Sequence, residues 1–95
     1  MLDPRIKKLA ENLVGYSIGA KKGDKVLIEA YDTDSPLVEC IVKEIRARGA
    51  YAFVETYNGK IQRALLINAD EEYFKLLASY ARGRMEDMDC YIGIR

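Results

Sequence analysis

The stretch from Lys25 to Tyr57 constrains the fold more than any other. Val26, Leu27 and Ile28 are consecutive and apolar, the pattern of a parallel strand covered on both faces. Asp32-Thr33-Asp34-Ser35-Pro36 then ends the strand and starts a helix, with Ser35 or Asp34 as cap and Pro36 just inside. That helix runs to about Arg48. Leu37, Val38, Ile41 and Ile45 form its core stripe, and Glu39, Lys43, Glu44, Arg46 and Arg48 lie mostly outside it. Gly49 ends it. Ala50 to Tyr57 is a second strand, rich in aromatic and β-favouring residues. A strand–helix–strand unit of this length forms a right-handed parallel crossover. The chain is thereby committed to layered α/β architecture.

The flanks fit that commitment. Residues 4–17 read as a helix capped by Asp3, with Ile6, Leu9, Ala10, Leu13 and Val14 on one face. Lys21-Lys22-Gly23-Asp24 is a turn. Asn58-Gly59 is a hairpin signal between two strands. Ile61, Ala64, Leu65 and Leu66 also fit a short helix, which is the preferred reading of 58–67. Asn68-Ala69-Asp70 caps a helix of about 71–86, with Phe74, Leu77, Ala78, Ala81 and Met85 on one face. Cys90 to Ile94 reads as a third strand. The expected fold is a small three-layer α/β domain, a short and mostly parallel sheet of about three strands flanked by helices. The first strand is expected in the middle, and residues 1–95 form one domain.

Composition narrows function. The chain has 95 residues, 15 Lys+Arg against 15 Asp+Glu, and no histidine. Zero net charge argues against a broad grip on nucleic acid or an anionic membrane. Without imidazole, no Ser-His-Asp or Cys-His catalysis and few catalytic zinc sites can be built from this chain alone. Cys40 and Cys90 form no CxxC pair, and both are expected as buried, reduced thiols. That fits the cytoplasm, and the N-terminus lacks the apolar core of a secretory signal.

Ligands of open parallel sheets bind beyond the carboxyl ends of the strands. There the sequence places Tyr31 to Ser35, Tyr57 to Lys60, and Arg95. Asp32 and Asp34 have the oxygen chemistry for a hard cation. The plainer reading has Asp34 or Ser35 capping the helix while Asp32 shapes the turn. The loop has no glycine and two carboxylates, so it is no phosphate cradle. Gly15, Gly19 and Gly23 precede the first strand and do not form GxGxxG. The tyrosines are scattered without a basic stripe, and packing with the hydroxyl on water or backbone is their expected role. Lys75, Arg82 and Arg84 suit the negative end of the last helix dipole without any ligand. Leu65, Leu66 and Ile67 are either core or a docking patch.

The ordered series of segments resembles a known family. Asp3-Pro4-Arg5-Ile6-Lys7-Lys8-Leu9-Ala10, Leu13-Val14-Gly15-Tyr16-Ser17 and Lys22-Gly23-Asp24-Lys25-Val26-Leu27-Ile28-Glu29 look like the start of the thermophilic metalloaminopeptidases, the aminopeptidase T and aminopeptidase S type. Pro36-Leu37-Val38, Arg48-Gly49-Ala50, Ala64 to Ala69 and Met88 to Arg95 continue the match. The resemblance implies a longer enzyme, in which a C-terminal domain binds a metal pair (zinc, cobalt or manganese) through glutamates, histidines and an aspartate. There a metal-activated water hydrolyses the N-terminal bond of peptides. It also implies a homodimer, with the N-terminal domain limiting access to the active sites. No catalytic, cofactor or metal residue of the family maps onto this chain, which is therefore expected to be inactive alone. A strand that ends at Arg95 fits a piece of something longer. The rival expectations are a stand-alone α/β binding or dimerisation module and, more weakly, a small cation site at Asp32 and Asp34.

Overall fold

The computed structural model describes residues 3–32 and 36–94. The elements in chain order are α1 (Pro4–Asn12), a π-helical turn (Leu13–Ser17), β1 (Lys25–Tyr31), α2 (Pro36–Ala47), β2 (Tyr51–Tyr57), α3 (Gly59–Leu66), α4 (Glu71–Met85) and β3 (Cys90–Ile94). The sheet is parallel, in the order β2-β1-β3, with β1 central as expected. The ambiguous segment after Asn58 is helical. The Asn58 side chain accepts from the N–H groups of Lys60 (2.9 Å) and Ile61 (3.3 Å), which makes it a helix cap rather than a hairpin corner.

Register decides the two faces. Val26, Ala52 and Cys90 align across the strands, as do Ile28, Val54 and Ile92. Side chains alternate along a strand, so these share one face. α1 and α2 cover it. Val14, Val26, Ile28, Ile41 and Ile45 are fully enclosed there, with Ala10, Cys40, Ala50 and Ile92 beside them. Burying side chains of this kind contributes roughly 1.5–3 kcal/mol each before entropy is counted. Asp89, immediately before β3, fixes the start of β1. Its carboxylate accepts from the Lys25 N–H (2.9 Å), and its own N–H donates to the Lys25 carbonyl (2.8 Å).

Four expectations are corrected. The first helix is α-helical only to Asn12 and widens into a π turn, which brings Gly15 against the Arg48 guanidinium. Leu9, placed in the core stripe by spacing, is half exposed, since spacing alone does not say where a neighbour ends. Val38 is only half-buried, and Cys40 takes the enclosed position instead. Cys90 is half-buried rather than buried, because it lies on edge strand β3; both cysteines are free, as expected. Burial and the carboxylates of Asp24 and Asp89 raise the Cys90 thiol above its ordinary range. Asp34, Ser35 and Arg95 lie outside the described residues, so the helix cap expected of Asp34 or Ser35 does too.

The opposite face is different. Leu27 and Glu29 of β1 are buried, yet Tyr51 and Phe53 of β2 and Tyr91 of β3 are exposed. α3 and α4 sit at the carboxyl ends of the strands. Among the described residues, neither helix has a buried side chain. No helix among the described residues is long and apolar enough to cross a membrane.

Candidate functional site

A cleft of about 380 Å³ lies between α3, α4 and the carboxyl ends of β1 and β2. This is the edge at which open parallel sheets place their ligands. Tyr31 and Tyr57 end adjacent strands in register, and their rings stack with centroids 4.8 Å apart. Leu65, Leu66, Phe74 and Leu77 supply the apolar walls, and Arg84 closes one end. The volume is within the ordinary range for a small-molecule pocket. A second cleft lies between Lys7 of α1 and Cys40, Lys43, Glu44 and Ala47 of α2.

The polar centre of the first cleft is built on Glu29. This carboxylate sits on the central strand and is 7% exposed. A buried charge needs a partner. Tyr57, on β2, donates its hydroxyl hydrogen to Glu29 Oε2 (2.8 Å). Arg84, on α4, brings Nη2 to 3.6 Å from the same oxygen, and its Nη1 donates to the Tyr57 hydroxyl. The guanidinium also lies over the rings of Tyr57 and Tyr80, at 5.4 and 5.2 Å. Its Nε is enclosed without a hydrogen-bond partner among the described residues. Burial, then the hydrogen bond to Glu29, pushes the Tyr57 hydroxyl up to about 12. Tyr57 therefore keeps its proton at neutral pH and is no general base there. The arrangement is a neutralised cluster behind an apolar cleft, suited to holding a shape.

Asp32 performs the turn-shaping role. It takes a left-handed conformation (φ 52°), donates its N–H to the Tyr57 carbonyl (2.9 Å) and accepts from the Gly59 N–H through Oδ1 (2.7 Å). Its carboxylate is thus committed to the start of α3. Asp34 lies outside the described residues, so the Asp32–Asp34 pair is not described. Leu65 and Leu66 line the cleft, while Ile67 projects into solvent at 58% exposure.

The tyrosines divide. Tyr57 packs as expected, but its hydroxyl meets a carboxylate and a guanidinium rather than water or backbone. Tyr16 and Tyr80 are largely exposed, at 89% and 70%, contrary to the packing expected of them. Arg84 is the larger correction. The helix dipole accounts for its position in the last turn, but its side chain runs inward to Glu29. Lys75 instead pairs with Glu71 on its own helix (3.4 Å). The signal for this cluster was in the sequence: a lone glutamate inside an apolar strand implies a cation packed against it.

The fold defines a small open-sheet α/β domain with its cleft at the carboxyl edge. The sequence model of the thermophilic metalloprotease (M29) family matches residues 2–95, and the chain belongs to that family. No curated protein matched the chain. The family implies a metal. The chain has no histidine, and among the described residues no three His, Cys, Asp or Glu side chains come together to hold an ion. Among the described residues, then, no donor set fits a metal centre.

Proposed function

We propose that this chain is the N-terminal, non-catalytic domain of a metal-dependent aminopeptidase, docking on the catalytic domain and shaping substrate access. The family match supports a metallopeptidase parent. The observation that carries the domain role is the open aromatic face. Tyr51, Phe53 and Tyr91 on that face of the sheet are exposed, as are Leu76 and Tyr80 on α4, and clustered exposed apolar side chains mark interaction surfaces. The occupant in this reading is the parent's own catalytic domain, which also carries the divalent metal pair (zinc, cobalt or manganese). The metal activates water for hydrolysis, and no residue of this chain takes part in that step. Peptides are the substrates of the parent, which works as a homodimer in the cytoplasm. Neither nucleic acid nor membrane is a partner, in keeping with zero net charge.

The test uses amino-acid p-nitroanilides with added zinc, cobalt or manganese. The 95-residue chain should show no turnover, and the product of the complete reading frame should be active. Clear turnover by the chain overturns the non-catalytic role. A reading frame that stops after Arg95 favours the rival, a stand-alone α/β module.

A further inference from the structure

The segment from Gly59 to Met85 is attached to the sheet in an unusual way. Its entry is sewn down by the Gly59 N–H on Asp32, and its exit by the paired hydrogen bonds between Asp89 and Lys25. Between these anchors α3 and α4 bury no side chain among the described residues. Apolar burial holds α1 and α2; here it is only partial, with Leu65, Leu77 and Ala81 half-buried against the cleft. The strongest polar attachment within the segment is Arg84, which binds Glu29 and Tyr57 together. Asn68, in a left-handed conformation (φ 61°), forms the joint between the two helices.

We infer that α3 and α4 form a flap over the carboxyl edge of the sheet, closed by the Arg84–Glu29–Tyr57 clasp rather than by a core. Closure creates the cleft, because α3 and α4 supply the walls that face Tyr31 and Tyr57. The clasp is built to release. Arg84 Nε has no partner when closed, so opening returns it to water and offsets part of the loss. Segments that lack buried apolar contacts open at lower cost than the core they rest on. The clasp holds or fails independently of the parent's activity.

Hydrogen exchange followed by mass spectrometry on the full chain tests this. Arg84→Met alone leaves Glu29 buried without a cation, held only by the Tyr57 hydroxyl, which risks unfolding the sheet. Glu29→Gln with Arg84→Met removes both charges and keeps their volume. In that double variant, amides of α3 and α4 should exchange at least about tenfold faster than in the wild type, while those of β1 and α2 change less than about twofold. Unchanged exchange in α3 and α4 overturns the clasp. So does a uniform rise across the chain, or the absence of protection in these helices in the wild type.

Discussion

Asp32 and Gly59 form a matched pair. A Cβ on Gly59 would stand 2.5 Å from Asp32 Oδ2, so alanine forces the carboxylate off the N–H it accepts from. Gly83, in α4, has nothing within 4 Å of such a Cβ. Alanine in a helix gains roughly 0.5–1 kcal/mol over glycine. Gly83→Ala should therefore raise the urea midpoint, read by circular dichroism. Gly59→Ala should lower it or leave it unchanged, since a charge-assisted hydrogen bond worth about 1.5–3 kcal/mol opposes the gain. Tyr57 gives a second expectation at this scale. Its folded value of about 12 lies above the ordinary tyrosine value of 10. Its contribution to stability is therefore complete below pH 10 and is lost as pH rises through 12. A spectroscopic titration should show a tyrosine step near pH 12, and Tyr57→Phe should remove it. Asp32 as a turn residue was legible from its neighbours in sequence. Arg84 was not, because its partners lie 27 residues away on β2 and farther still on β1.

Helices α2 and α4 both carry an apolar stripe, but among the described residues only that of α2 is fully enclosed. Ile41 is fully enclosed between α2 and the sheet, so Ile41→Ala should cost about 2–5 kcal/mol, measured by denaturant unfolding. Phe74, on the α4 stripe, is 49% exposed, and Phe74→Ala should cost less than Ile41→Ala. Equal losses at the two sites would mean that α4 is packed as α2 is. Periodicity located both helices to within a residue or two, since amphipathic spacing and caps are local. Whether a stripe is buried depends on a neighbour that the spacing does not contain. For the same reason Leu9 reads as core and is half exposed.

The molecule is flat, 44 × 29 × 16 Å, with a radius of gyration of 15.1 Å. A compact domain of this length would have roughly 12 Å. Small-angle scattering from the dilute chain should return a value near the larger figure; one near the smaller figure would mean that α3 and α4 fold down onto the open face. The element order and the parallel crossover follow from the sequence itself. Apolar runs, caps at Asp3, Asn58 and Asp70, and the Gly49 stop act over a few residues, and each specifies its element nearly unaided. Tertiary structure alone decided which face of the sheet is filled and which is left open on its outer strands, and it alone brought Glu29, Tyr57 and Arg84 together. Those outcomes depend on residues distant in the chain sharing one small volume, and a buried carboxylate selects its cation by position in space rather than by spacing in sequence.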